Sequence, residues 1–275
     1  MGQNYKLQLL APPQTRSAGN FGRSRVDEQL YDQYLSSMQR LRGRVYLSDG
    51  AIQRWELDDD DRFKMRGDEQ GWHFLLIDEK ESVVGCARYL VHPNTIDYER
   101  LRVSQSPLAC DPRWGDAVRA AVEADLRQAQ QENLCYVELG GWALSEEWRG
   151  TRAALEIMVA SYALACLWGG GLGYCTATVR HYSASILSRM GGSPLKAHGS
   201  VLPSYEDPRY GCRMELLRFD SRTPAQRFAP LINQLKSKLA TAVAIRRSRV
   251  PMWGKFAGEL TAEHVGLLRM APVYY

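Results

Sequence analysis

Long apolar runs are absent from the sequence: no stretch approaches the roughly 20 residues that a bilayer-crossing helix needs. There is no CxxC pair either. The six cysteines (Cys86, Cys110, Cys135, Cys166, Cys175, Cys212) stand apart, several inside apolar runs, as buried reduced thiols do. The five histidines are equally scattered, so no spacing points to a metal site. No segment repeats at a fixed period, which excludes a solenoid or a propeller. The opening "MGQNYKLQLLAPPQTRS" lacks an adequate apolar region followed by a small-residue cleavage site. Lys6 stands where an N-myristoylation signal at Gly2 wants Ser or Thr. Together these absences predict a cytoplasmic protein with no structural metal.

What is present is an ordinary globular composition, 45% hydrophobic and 24% charged over 275 residues. The net charge of +4 is unevenly spread. From Ser221 onward nine Lys and Arg face two Glu, so the basic character belongs to the C-terminal end. That asymmetry suits an acidic partner or peripheral contact with an anionic membrane; a solvated basic helix is the default reading. No nucleic-acid partner is expected.

Along the chain, residues 1–25 are rich in Gly, Ser, Pro and Arg and read as a flexible leader. Apolar residues at 26, 30, 34, 38, 41 and 45 predict an amphipathic helix. An acidic loop, "LDDDDRFKMRGDEQ", separates it from "GWHFLLID" and "SVVGCARYLV", which form a hairpin signature around "EKE". A helix over 113–132 follows, then the strand "LCYVELGGWAL", a buried helix "RAALEIMVASYALACLW" and the strand "LGYCTATV". A short helix "SASILSRM", ended by Gly191 and Gly192, precedes a last strand "CRMELLRF". This order predicts an α/β domain with a mixed sheet over 26–220, and a basic helical extension over 221–275 whose helix occupies about 225–248.

The junction "ALSEEWRGTRAALEIM" joins a strand directly to a helix. The first N–H groups of such a helix lack partners and carry the positive end of its dipole. Gly150 permits close approach, and Arg149 and Arg152 add charge, so the site suits a pyrophosphate or phosphopantetheine. A glycine-relaxed helix start with surface arginines is the plain structural alternative. Upstream, Glu138 is a carboxylate within the apolar run "CYVELGGWAL", where burial is expected to raise its pKa toward that of a general base. Gly140 and Gly141 permit a bulge or a splay of that strand; packing around Trp142 would explain them equally.

Arg149, Gly150, Thr151, Arg152, Ala153 and Ala154 resemble the acyl-donor motif of the GCN5-related N-acetyltransferase superfamily, Arg/Gln-x-x-Gly-x-Gly/Ala, with Arg152 in place of the central Gly. A second similarity, over residues 40 to 220, is to the acyl-homoserine-lactone synthases and long-chain N-acyl amino acid synthases of that fold. It rests on Arg42 and Tyr46, the acids Asp58 to Asp61 with Asp68, and "VVGCARY" with its Arg88. Glu138 and Trp142 match the first and last positions of the synthases' Glu-x-Ser-Arg-aromatic arrangement; the Ser and Arg between them are missing.

The resemblance implies a mostly antiparallel sheet flanked by helices, with a strand pair splayed at an acyl-thioester site. It implies N-acylation of an amino-acid-like amine by acyl-coenzyme A or by the acyl-phosphopantetheine of an acidic acyl-carrier protein, without a metal. A catalytically silent acyl-thioester sensor is the alternative. Glu138 becomes the base, with Tyr182 and Ser183 as hydroxyl donors to the departing thiolate, because Leu187 stands where the superfamily's usual Tyr is found; His181 is a secondary base. Gly140, Gly141, Trp142, Ala143, Leu144, Arg149, Gly150, Thr151, Arg152 and Ala153 would hold the donor. Arg42, Tyr46, Asp59, Asp61, Asp68, Arg88 and Arg209 would hold the amine substrate, Arg209 by gripping a carboxylate.

Overall fold

A computed structural model describes residues 4–15 and 23–248. The chain builds one large sheet whose strand order is β10-β11-β6-β5-β4-β3-β1-β12-β2. The strands, in chain order, are β1 (Tyr5–Leu10), β2 (Arg23–Val26), β3 (Trp72–Asp78), β4 (Val83–His92), β5 (Cys135–Leu144) and β6 (Gly171–Thr178). Two-residue strands β7 (Ser193–Pro194), β8 (Lys196–Ala197) and β9 (Ser200–Val201) lead to β10 (Tyr205–Asp207), β11 (Cys212–Asp220) and β12 (Val243–Arg246). The β5–β6, β1–β12 and β12–β2 pairs are parallel, and the remaining neighbours are antiparallel.

Helices cover both faces. α1 (Glu28–Ser48) starts where Asp27 accepts the Leu30 N–H. It packs Tyr31, Leu35, Met38 and Leu41 against Leu75, Ile77 and Cys86. α2 (Pro107–Cys110) and α3 (Gly115–Gln131) cover the β5, β6 and β11 side, where Val118, Val122 and Leu126 meet Tyr136, Tyr174 and Leu216. On the opposite face, α4 (Arg152–Leu167) is buried along most of its length and carries α6 (Ala229–Thr241) on its back; α5 (Ser183–Arg189) closes that core. No described helix is long and apolar enough to cross a membrane.

Two segment boundaries differ from the expectation. Residues 5–10 are not leader: Tyr5, Leu7 and Leu9 alternate with Lys6 and Gln8, and the strand pairs with β3 from Tyr5↔Asp78 to Leu10↔His73. The C-terminal helix stops at Thr241. Beyond it Val243, Ala244 and Ile245 insert as a parallel strand between β1 and β2, with Ala244 and Ile245 buried. β-Branched residues with an open strand edge beside them do better in a ladder than in a further helical turn. The last part of the basic extension, residues 249–275, lies outside the described residues.

Candidate active site

β5 and β6 are zipped at one end and parted at the other. Cys135↔Gly171 through Glu138↔Tyr174 pair in register; beyond that point, among the described residues, β5 pairs only with β4 and β6 only with β11. At the zipped end a Cβ on Gly173 would sit 2.0 Å from the Val137 carbonyl oxygen, so the backbones are in direct contact there. At the open end Gly141 adopts φ +63°, and the β4–β5 register shifts between Cys86 and Arg88. This is a bulge that bends β5 away from its neighbour. The gap forms a cavity of about 540 Å³, lined by Leu139 to Trp142, Tyr174 to Thr178, Met158 and Leu187.

Glu138 sits at the fork. Its carboxylate lines both this cavity and a larger one of about 2040 Å³, which is walled by residues 62–70, the 96–105 segment and the start of α3. Oε1 accepts the Tyr174 hydroxyl and the Arg102 N–H, the latter at 2.6 Å. Oε2 lies 3.3 Å from His92 Nε2. The side chain is buried, at 4% exposure. Burial pushes the carboxyl's pKa up, but His92, the Tyr174 hydroxyl and the Arg102 N–H outweigh it and hold the group below the ordinary carboxylate range. The expected elevation is therefore reversed: the site holds an anion ready-made, stabilised by fixed donors.

Behind the bulge lies a buried ionic cluster. Arg42 and Arg88 are 0% and 2% exposed, with Asp68 between them. Arg42 grips Asp68 with both Nη groups, at 2.5 and 3.2 Å, and donates to the Phe63 carbonyl at 2.6 Å. Arg88 Nη1 donates to Asp68 Oδ1 at 3.4 Å and to the Arg66 carbonyl at 2.8 Å. Burial pushes the Asp68 carboxyl up, yet Arg42 overrides it and sets the pKa at about 2. Arg88 is pushed down to about 10 by burial and then by the neighbouring Arg102.

His73 donates from Nε2 to the Asp68 carbonyl at 2.6 Å, and burial pushes its ring down to about 4, so it is neutral at pH 7. The unfolded chain takes up a proton below the ordinary pKa of 6.5 that native His73 refuses until about 4. Stability is thus complete above pH 6.5 and falls by roughly 3 kcal/mol as the pH drops to 4. Denaturant melts at pH 7 and 4.5 measure this fall, and His73→Asn, which can still donate to the Asp68 carbonyl, flattens it. A fall equally steep in the variant would assign it to other groups.

No family model matches the chain, and no curated protein matches it. Solved structures do. A CoA-dependent acyl-homoserine lactone synthase, BjaI, in its complex with MTA, aligns over 90% of this chain and 96% of its own at 13% identity, with a TM-score of 0.53. The chain has the acyl-homoserine lactone synthase fold. The same synthase with SAM and isopentyl-CoA gives a TM-score of 0.51 at 14% identity, over 90% of this chain and 96% of that one. FeeM, an N-acyl amino acid synthase from uncultured soil microbes, aligns at 12% identity over 80% of this chain and 91% of its own, with a TM-score of 0.47.

On this synthase fold the residues singled out in the sequence separate into groups. Glu138, Gly140, Gly141, Trp142, Tyr46, Arg88, His181, Ser183 and Arg209 line the smaller cavity. Arg42 and Asp68 stand behind it: Asp68 orients both arginines, and Arg42 lines neither cavity. Ala143 packs against the α1 core and Leu144 against the α4 core, because the pleat and the bulge turn them from the gap. Arg149, Gly150, Thr151, Arg152 and Ala153 line neither cavity. Arg149 meets Asp49 on the rim at 3.4 Å, Arg152 pairs with Glu156 at 3.1 Å, and the Thr151 hydroxyl caps its own helix.

Two further assignments are corrected. Tyr182 is 76% exposed and lines neither cavity, since positive φ at His181 and Tyr182 swings it outward. Asp59 and Asp61 lie on the surface, Asp61 bonded to Arg54, because the acidic loop folds onto its own basic residues. Arg209 pairs with Glu56 at 3.0 Å at the boundary of the two cavities.

The site also contains Tyr174, His92, Arg102, Gln105, Tyr205 and Tyr210, which sequence reading passed over. Tyr174 had a signal: it is the fourth residue of β6, as Glu138 is of β5, and the two strands pair in step. Among the described residues no group of three or more His, Cys, Asp or Glu is placed to hold a metal ion.

Proposed function

We propose that the chain is an N-acyltransferase that moves an acyl group from a thioester, acyl-coenzyme A or a carrier-protein acyl-phosphopantetheine, to the amine of an amino-acid-like acceptor. The observation that carries this reading is the position of Glu138: an ionised, buried carboxylate at the fork of a parted strand pair, open to a cavity on each side. The thioester enters the gap beyond Glu138, with its acyl chain against Leu139, Met158 and Leu187. The amine comes from the larger cavity, where Arg102 and Arg209 can meet a carboxylate. A thioester is already activated, so the protein's work is to orient the carbonyl, deprotonate the amine and stabilise the oxyanion. The fold neighbour BjaI, solved with isopentyl-CoA and SAM, supports binding of a coenzyme A derivative on this scaffold.

A basic C-terminal segment favours docking of an acidic carrier protein, a contact that added salt would weaken. The discriminating assay is release of free thiol from acyl thioesters of graded chain length, presented with a pool of amino acids. Thiol release that requires both donor and amine is the expected result. A thioester that binds with no thiol released for any amine would instead make the chain a thioester sensor.

A further inference from the structure

The acyltransfer reading leaves one proton unaccounted for. An ammonium substrate loses two protons on becoming an amide; one leaves with the thiolate as the free thiol, and the other must reach solvent from a buried carboxylate. Glu138 cannot pass it on through Oε1. That oxygen is held by the Arg102 N–H and by the Tyr174 hydroxyl, which in turn accepts the Val103 N–H at 2.9 Å. A backbone amide does not titrate in this range, and burial beside Glu138 keeps the Tyr174 phenol protonated. The remaining oxygen, Oε2, faces His92 Nε2 at 3.3 Å.

His92 is the last residue of β4, and Leu90 is the residue directly opposite Glu138, so His92 is the diagonal neighbour of Glu138 on the same face of the sheet. Its side chain is 15% exposed against 5% for the carboxylate, and it opens onto the larger cavity. Its Nε2 makes no well-aligned hydrogen bond among the described residues, so in the Nδ1–H tautomer its lone pair faces Oε2. The ionisable groups sharing this corner are Glu138 and Tyr136 on β5, with Tyr98, Glu99, Arg100 and Arg102 in the 98–105 segment and Arg119 of α3 beyond them.

We infer that His92 is the proton exit of the site. The substrate N–H bond breaks as an O–H bond forms at Glu138 Oε2. That O–H then breaks as Nε2–H forms, and the Nδ1 proton passes to water in the larger cavity. The carboxylate is restored, and the imidazole regains its starting tautomer by exchange with water. One proton reaches solvent per turnover, as the overall reaction requires. His92 acts here through Glu138 and is a positioning residue.

The inference rests on the acyltransfer reading, and one set of assays separates the two. Steady-state thiol release is followed for wild type, Glu138→Gln, His92→Gln and His92→Ala. His92→Gln is expected to lose roughly 10²-fold in kcat with the KM for the amine unchanged. His92→Ala is expected to regain activity with added imidazole, which a loss of packing would not allow. Normal turnover in His92→Gln beside a dead Glu138→Gln overturns the relay alone, as does an imidazole-insensitive loss in His92→Ala. A wild type silent with every donor and amine overturns the acyltransfer reading and the relay with it.

Discussion

Glu138→Gln lowers turnover by roughly 10²–10⁴-fold, the usual contribution of a positioned general base, while acyl-donor affinity is retained. The substitution is nearly isosteric. The amide oxygen can still accept the Tyr174 hydroxyl and the Arg102 N–H that hold Oε1, so the fork between β5 and β6 keeps its shape. What is lost is the anionic oxygen at the fork, where the amide now presents an N–H₂ that cannot accept a proton. Because the carboxyl lies below the ordinary carboxylate range, the wild-type base is ionised at neutral pH, and an acid limb near pH 6 to 7 in the rate belongs to the amine or another group. Calorimetric titration with an acyl thioester and steady-state thiol release check the two halves. A variant that turns over at the wild-type rate would remove Glu138 from the chemistry.

Asp68→Ala destabilises the fold by about 3–5 kcal/mol and lowers the melting temperature by on the order of 10 °C. The deletion leaves Arg42 and Arg88, both almost wholly buried, facing one another without the carboxylate that lies between them. Their remaining acceptors are the carbonyls of Phe63 and Arg66, which offer no charge. The cluster also backs the bulge: a Cβ on Gly141 would lie 3.3 Å from Arg42 Nη1 and 3.3 Å from Arg88 Cβ. Loosening the arginines therefore disturbs the strand that opens the gap, and the KM for the donor rises in whatever fraction folds. Denaturant melts of Asp68→Ala and Asp68→Asn measure the effect, the Asn variant losing less because it can still accept from one arginine. Wild-type stability in Asp68→Ala would mean that the two guanidiniums are neutralised by groups other than Asp68.

Periodicity served best where one residue pattern had one solution. The apolar spacing that predicts a helix over 26–46 describes α1, and "WHFLLID" with "VVGCARY" describes the β3–β4 hairpin. It failed at the ends of the sheet. The alternation in "YKLQL" is a strand signal hidden beside Pro12, Pro13 and the glycines that follow, and "AVAIR" continues a helical apolar pattern until an open sheet edge claims it. The acidic loop misled for another reason: Asp58 to Asp61 form a run in sequence, but the run spends its charge on Arg54, Arg62 and Lys64 at the surface, and Asp68 alone turns inward.

The residues by themselves determined that a carboxylate, two glycines and a tryptophan stand in succession on a central apolar strand that leads into a buried helix. Local pattern carries that much, because alternation and turn chemistry act between near neighbours along the chain. Only the tertiary structure decided that Glu138 is ionised, since its two hydrogen-bond donors come from β6 and the 98–105 segment, with His92 of β4 facing its other oxygen. It likewise decided that the donor motif's arginines pair with Asp49 and Glu156 without lining the cavity, and that Asp68 is the acid between Arg42 and Arg88. Charge state and cavity shape depend on groups brought together across tens of residues of sequence, and the balance between burial and hydrogen bonding is struck only when those groups meet.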